Sequence, residues 1–279
     1  MPRKSLVILI AGLACAGAWA QLFPEERDAL DALLSQVERS LTTQSPPLWS
    51  LFSPLGSLAV MANENGGWTT ARRDELRRNA GTAAAFTLPL GARATFRVYE
   101  TARELMMGQA IFESPEKRHW LATFATLPDG PGGACRLTAL CIFPSDRLSP
   151  PEMSQDAVNV VKAWERVVRE GQMLELRPHL YPDPFLAILG KGGMELFLYV
   201  DPERYITMAR YAVEVGRPET SEMSRLHACS NGAIATVTGT WKAPNVVFGL
   251  GDYRLTAILL KTDGDWKVAG LFMGTQTQY

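Results

Sequence analysis

Three side chains that could exchange protons lie close together in the sequence: His179, Tyr181 and Asp183. A carboxylate or an imidazole can act as a general base, and a phenol can donate a hydrogen bond to an enolate, so this trio suits acid-base chemistry. Asp183 stands between Pro182 and Pro184, however, and an aspartate in that setting is most often a turn residue. The segment therefore predicts either a catalytic centre or a turn with a partly buried Tyr181.

Tyr205, His227 and Trp241 are further candidates, in this case for binding a ligand. An aromatic ring offers apolar surface and a polar atom, a combination found in pockets for small molecules. His227 alternates with Cys229 on one predicted strand, and such a pair could hold a metal ion or activate a thiol. The chain has only 3 histidines and no close cluster of cysteine and histidine, so we predict no metal site and no cofactor.

The composition is that of a folded and weakly charged protein. Of 279 residues, 47% are hydrophobic and 20% are charged, which argues against disorder and collagen-like repeats. Lysine and arginine together number 28 against 29 acidic residues, so no strong attraction to nucleic acid or to anionic lipid is expected. The length favours two modest domains over one.

Two short runs favour structure over chemistry. The run 72–78 has four arginines beside two acidic residues, which is typical of a solvated helix face with internal ion pairs, although a docking patch also fits. Residues 190–193 resemble a phosphate-binding loop only superficially, because the spacing and the hydroxyl residue after Lys191 are missing. We interpret them as a turn.

The N-terminus has the features of a secretory signal peptide. Arg3 and Lys4 precede an apolar stretch over residues 6–18, and the small side chain of Ala20 suits the cleavage pocket. We predict a cut after Ala20 and a periplasmic or secreted chain without a membrane span. An uncleaved anchor is disfavoured because the apolar stretch is shorter than the roughly 20 residues that cross a bilayer. Lipidation at Cys15 is a second alternative.

Three cysteines, Cys135, Cys141 and Cys229, remain after the signal peptide. The first two lie on one predicted strand, where six steps separate them by about 20 Å. A disulfide needs Cα atoms within about 7 Å, so these two cannot pair with each other while the strand is intact. We favour buried free thiols, with one disulfide to Cys229 or a reactive thiol as the alternatives.

The proline-rich and serine-rich residues 147–152 are predicted to be a linker between domains at 21–146 and 153–279. Each half opens with an amphipathic helix, beginning at Pro24 in the first and capped by Ser154 in the second. The halves invite comparison as a tandem repeat. Val37-Glu38-Arg39 aligns with Trp164-Glu165-Arg166, and Leu51-Phe52-Ser53-Pro54 aligns with His179-Leu180-Tyr181-Pro182. A further likeness links residues 136–140, in the last predicted strand of the first half, with residues 254–258, in the next-to-last strand of the second half. Either the first half lacks a strand or the likeness is chance.

The second half has a clear order of elements. A short helix over 172–180 is followed by an apolar run at 194–200 and by a helix capped by Asp201. Four strands close the chain, and Asp263-Gly264 makes the last two a hairpin. These strands are predicted at 223–229, 233–241, 253–261 and 266–273. In the first half we predict a helix over 70–79 and strands at 95–99, 105–112, 120–127 and 134–143.

This order, with its closing hairpin and Trp266, resembles the nuclear transport factor 2-like superfamily, which includes ketosteroid isomerases and polyketide cyclases. The resemblance covers about 120 residues of the second half, and the first half looks like a diverged copy. It implies an α+β fold of two tandem cone-shaped modules, each a curved antiparallel sheet wrapped around N-terminal helices. Asp183 stands in a segment that resembles the region carrying the general base of ketosteroid isomerases, although the surrounding pattern departs from theirs.

Enzymes, binding modules and structural adaptors all occur on such a fold, so the resemblance alone does not choose a function. The signal peptide, the weak charge, the pairing of similar modules and the lack of a converging polar constellation favour binding without catalysis. We expect an exported protein that takes a small apolar molecule or an envelope protein partner, with the two halves as an internal pseudo-dimer or the chain as a homodimer. The alternative is an isomerase, cyclase or dehydratase acting on a small apolar substrate in the second half. It would use Asp183 or His179 as base and Tyr181 or Tyr205 as partner.

Overall fold

The computed structural model describes residues 24–63, 66–102, 105–128, 134–145, 151–189, 196–199, 201–215, 221–243 and 251–275. The predicted signal peptide, the turn at 190–193 and most of the predicted linker lie outside these ranges. The chain divides into two compact units, and the boundary between them falls within residues 146–150. No helix in the described ranges is long and apolar enough to cross a membrane.

The first unit pairs an N-terminal helix with a six-stranded sheet in the order β2-β1-β6-β5-β4-β3. Strands β1 and β6 are parallel, while β1–β2, β4–β5 and β5–β6 are antiparallel. Its elements are α1 (Pro24–Thr43), a 3-10 helix (Leu48–Leu51), β1 (Leu58–Ala62), β2 (Trp68–Ala71), α2 (Arg73–Arg78), α3 (Ala80–Ala84), β3 (Arg93–Ala102), β4 (Leu105–Glu113), β5 (His119–Pro128) and β6 (Cys135–Pro144).

The second unit has a six-stranded sheet in the order β8-β7-β12-β11-β10-β9. Strands β7 and β12 are parallel, and the other pairs are antiparallel. Its elements are α4 (Pro151–Glu170), a 3-10 helix (Met173–His179), β7 (Leu180–Leu189), β8 (Leu196–Tyr199), α5 (Pro202–Val215), β9 (Glu222–Ser230), β10 (Ile234–Ala243), β11 (Gly251–Thr262) and β12 (Asp265–Thr275).

The two units share one topology. Both have the same strand order, and both begin with a 20-residue helix followed by a 3-10 helix. The aligned segments at 37–39 and 164–166 occupy equal positions in α1 and α4, and the two 3-10 helices end at the aligned residues Leu51 and His179. The likeness between 136–140 and 254–258 does not follow this topology, because β6 corresponds to β12 and not to β11.

An excursion in the parallel strand pair occurs in both units. Opposite the single residue Thr138 of β6, the adjacent segment of the same chain has five extra residues, 53–57, between the paired residues Phe52 and Leu58. Opposite Ala269 of β12, the adjacent strand β7 has four extra residues, 181–184, between the paired residues Leu180 and Phe185. Thr138 and Ala269 are also skipped in the pairing with the antiparallel strand on their other side, so each is a β-bulge.

Each unit buries one face of its helices against its sheet. The predicted apolar stripe of α1 is confirmed, because Leu30, Leu33, Leu34, Val37 and Leu41 are all at most 4% exposed. The stripe of α4 is confirmed as well, since its apolar side chains enter the core of the second unit. Of the predicted residues, Ala157, Val161, Trp164, Val167 and Val168 are buried there and Val160 is partly buried, and Val158 joins them.

Three predictions about the elements need correction. The sheets are mixed instead of purely antiparallel, because β1 and β7 add on in parallel. The helix predicted over 70–79 is preceded by the strand Trp68–Ala71, whose two threonines and tryptophan favour the extended backbone. Helix α4 begins at Pro151, a residue suited to the first helical position, so Ser154 lies inside the helix and does not cap it.

The three cysteines of the described residues are free thiols, as favoured from the sequence, but only Cys141 is fully buried, while Cys135 and Cys229 are half-buried. Cys135 and Cys141 lie on β6, so the single-strand prediction is confirmed. Burial raises the pKa of Cys229 to about 11, and it also raises the pKa values of Cys141 and Cys135. All three thiols are therefore poor nucleophiles at neutral pH.

Candidate binding cleft in the second unit

The three residues predicted as a catalytic centre lie at and just after the second 3-10 helix. His179 ends that helix, while Tyr181 and Asp183 belong to the excursion at 181–184. Asp183 is exposed, and His179 and Tyr181 are half-buried. The first unit has an equivalent excursion at 53–57 without any aspartate, so the shape of this segment belongs to the shared topology.

His179 favours its neutral form. Partial burial and the positive charge of Arg166 lower the pKa of His179 below that of an ordinary histidine. The carboxylates of Asp265 and Glu175 act in the opposite direction, and Lys267 adds to the lowering. An uncharged imidazole at neutral pH follows from this balance.

Tyr205 lies in the core instead of lining an open pocket. It is 4% exposed, and its hydroxyl accepts a hydrogen bond of 3.0 Å from Nε1 of Trp164. The two ring centroids are 5.4 Å apart. This contact joins α5 to α4, the two long helices of the second unit.

Trp241 occupies the same core, whereas His227 does not. Trp241 is 3% exposed, and its ring centroid lies 6.0 Å from that of Tyr253. His227 is exposed on β9, and its neighbours Leu226 and Ala228 are the ones that pack against the core. The structure therefore brings Tyr205 and Trp241 into one cluster and places His227 on the opposite face of the sheet.

A cleft of about 730 Å³ opens beside this core. One wall of the cleft is the C-terminal half of α4, and the opposite wall is formed by the start of β9 and the end of β10. Four of its side chains are basic, two are acidic, and a serine and a methionine complete it. The lining residues are Lys162, Glu165, Arg166, Arg169, Ser221, Glu222, Met223 and Lys242.

The charges of the cleft are only partly neutralised. Glu165 pairs with Arg169 at 3.6 Å, and Glu222 stands directly opposite Lys242 in the β9–β10 ladder. Lys162 and Arg166 form no ion pair with any residue in the described ranges. They are exposed and lie one helical turn apart, where like charges repel by a few tenths of a kcal/mol.

The floor of the cleft is less polar than its rim. Ser221 is 3% exposed and Met223 is 6% exposed. The Oγ of Ser221 accepts a hydrogen bond of 2.8 Å from Nε1 of Trp241, which fixes the serine to the core beneath it. A ligand in the cleft would thus meet cations at the rim and a hydroxyl with a thioether at the base.

The corresponding place in the first unit, between α1 and β3, is bridged by hydrogen bonds. Asp31 accepts one from Arg97 at 2.6 Å and another from Tyr99. Partial burial acts to raise the pKa of Asp31, but these two hydrogen bonds and the positive charges of Arg97 and Arg27 together outweigh it and lower the pKa. Glu38, which has the helix position of Glu165, accepts a hydrogen bond from the backbone of β3.

Sequence reasoning missed Lys162, Arg166 and Ser221. The spacing of Lys162 and Arg166 on an amphipathic helix was a usable signal, since same-sign charges four residues apart share a face. Ser221 had no local signal, because its place in the cleft depends on how β9 runs past α4.

The comparisons with known proteins find a similar fold over part of the chain. No family model matches it, and no curated protein matches it. Solved structures do match. An NTF2-like protein of unknown function from Shewanella baltica is 13% identical, with 47% of this chain and 98% of that one covered and a TM-score of 0.38.

Two further solved structures match a similar share of this chain. An NTF2-like protein of unknown function from Pseudomonas putida is 12% identical and covers 45% of this chain and 87% of its own, with a TM-score of 0.37. An NTF2-like protein of unknown function in nutrient uptake from Rhodospirillum rubrum is 17% identical, with 43% of this chain and 98% of that one covered and a TM-score of 0.36. The chain is similar to nuclear transport factor 2-like and ketosteroid isomerase-like proteins over slightly less than half its length, as predicted.

Proposed function

We propose that this chain is an exported, non-catalytic binding protein whose second unit takes a small organic anion in the cleft between α4, β9 and β10. The observation that carries the proposal is the pair Lys162 and Arg166. Both cations line one cleft, and no described carboxylate neutralises either of them. A bound anion would supply the missing charge and relieve their mutual repulsion.

The helix dipole does not explain this pair. A cation in the last turn of a helix is favoured by the partial negative charge there, and Arg169 has that position in α4. The effect falls off within one turn, whereas Lys162 lies more than two turns from the end at Glu170. The helix dipole therefore gives no reason for a lysine there.

The size of the cleft leaves room for an organic ligand. Pockets for small molecules span roughly 300–1,000 Å³, and this one has about 730 Å³. Met223 offers apolar surface to the body of such a molecule. The ligand we propose therefore carries an anionic group, in addition to the apolar part expected from the sequence.

A binding role fits better than catalysis because the candidate acid-base groups do not meet at the cleft. His179, Tyr181 and Asp183 are not among its lining residues, and the hydroxyl of Tyr205 is engaged by Trp164. An enzyme of the alternative class needs a base and an electrophilic partner within hydrogen-bond reach of one substrate.

Calorimetry with the mature chain, residues 21–279, tests the proposal. The probes are phenyl phosphate, neutral benzyl alcohol and cationic benzylamine. We expect phenyl phosphate alone to bind, and the double variant Lys162→Ala/Arg166→Ala to weaken it at least about tenfold. Arg210→Ala removes an exposed arginine of α5 outside the cleft and serves as the matched control. Equal binding of the three probes, or unchanged binding in the double variant, would overturn the proposal.

Export is tested separately by intact mass after expression with residues 1–20 present in an exporting bacterial host. A periplasmic or secreted product that begins at Gln21 supports export. A chain that keeps residues 1–20 and stays in the cytoplasm would contradict it. A product that begins at Cys15 with a lipid mass would move the protein to the membrane surface.

A further inference from the structure

The buried hydroxyl of Ser221 has an unused hydrogen-bond donor. Its oxygen accepts from Nε1 of Trp241 at 2.8 Å, and a hydroxyl can donate one further hydrogen bond. No acceptor for that proton occurs among the described residues. Ser221 is 3% exposed and lines the cleft.

Trp241 dictates the direction of this donor. An indole N–H can only donate, so the hydroxyl cannot turn its own proton back towards Trp241. Trp241 is itself held by packing in the core against Tyr253. The serine is thereby pre-organised to offer its proton to a neighbour other than the indole.

Resting on the proposed function, we propose that Ser221 determines which anions bind. Its hydroxyl donates to an oxygen of the ligand, so the site takes oxoanions such as carboxylates, phosphate esters or sulfate esters. A ligand without an acceptor at that point leaves a buried donor unsatisfied and binds more weakly. Lys162 and Arg166 respond to the net charge of the ligand, whereas Ser221 responds to where its oxygen lies. Trp241 acts as a positioning residue through Ser221.

The test compares two serines of one region in the full mature chain. With phenyl phosphate as probe, Ser221→Ala is expected to weaken binding about tenfold or more, which is the usual effect of a lost hydrogen bond to a charged group. Ser224→Ala removes an exposed hydroxyl on β9 and should bind within twofold of the unmodified protein. Thermal denaturation of both variants checks that each is folded.

A spectroscopic readout tests the part of Trp241. When Ser221 donates to the anion, its oxygen becomes a better acceptor, so the indole N–H resonance of Trp241 should move downfield on addition of phenyl phosphate. Trp241→Phe assigns that resonance, and Ser221→Ala should abolish its shift.

The outcomes separate this inference from the proposed function. Loss of binding in Lys162→Ala/Arg166→Ala together with unchanged binding in Ser221→Ala overturns the role of Ser221 and leaves the anion cleft intact. Equal losses in Ser221→Ala and Ser224→Ala also overturn it, because a specific donor would act at one position only. Absence of binding in the unmodified protein defeats the proposed function itself.

Discussion

Replacing Tyr205 by phenylalanine removes one oxygen atom from the core of the second unit. That oxygen accepts a hydrogen bond of 3.0 Å from Nε1 of Trp164, and the two side chains are 4% and 2% exposed. The substitution keeps the ring, so almost no cavity forms. The cost is that of a buried donor left without its acceptor, about 1–3 kcal/mol of the free energy of unfolding.

Urea denaturation of the full chain, followed by intrinsic fluorescence, measures this cost. Tyr211→Phe is the matched control, because Tyr211 lies on the same helix and is 57% exposed. We expect it to stay within about 0.5 kcal/mol of the unmodified protein. The affinity for phenyl phosphate should not change in either variant, since neither residue lines the cleft.

Two results would refute the reasoning. If Tyr205→Phe is as stable as Tyr211→Phe, the hydrogen bond to Trp164 contributes nothing and packing alone holds α5 against α4. If Tyr205→Phe loses ligand binding while keeping its stability, Tyr205 is a binding residue, as the sequence suggested, and its assignment to the core is wrong.

Two other positions give sharp expectations. At Gly108 an added Cβ would lie 2.6 Å from both the Val98 carbonyl oxygen and the Phe124 ring, so Gly108→Ala should lose roughly 1–3 kcal/mol in urea denaturation. Gly67→Ala, whose nearest atom is 3.8 Å away, should lose far less, and equal losses would contradict this. The pKa of His179 is lowered by folding, so the unfolded chain binds the proton first as the pH falls, and stability declines as the pH falls through the ordinary histidine value of about 6.5. The decline in Tm should be smaller in His179→Asn than in the unmodified protein. An identical pH dependence of Tm in the two proteins would contradict this contribution of His179.

Much of the fold could be predicted because its signals are local. The stripes of α1 and α4, the cap at Asp201 and the hairpin turn at Asp263-Gly264 each depend on a few adjacent residues. Strand β1 could not be placed in this way. Its parallel partner is β6, which lies about 80 residues further along the chain, and no local pattern identifies such a pairing.

The cleft was harder to predict from the sequence than the fold. The residues chosen for their chemistry, such as Asp183 and His227, are exposed at separate places, since residue type alone does not determine which side chains converge. Lys162 and Arg166 were visible as charges. Their lack of an ion-pair partner among the described residues could be learned only from the structure, because it depends on Glu165 pairing with Arg169.

The bulges at Thr138 and Ala269 have a practical consequence for engineering the chain. One unit inserts residues 53–57 there and the other inserts residues 181–184, yet the pairing resumes in the same way on both sides. The sheet therefore tolerates a change in chain length at this point without a slip of its strands. A short epitope or a fluorescent label placed next to Leu55, which is 65% exposed, would report on the first unit without shifting the register of its strands.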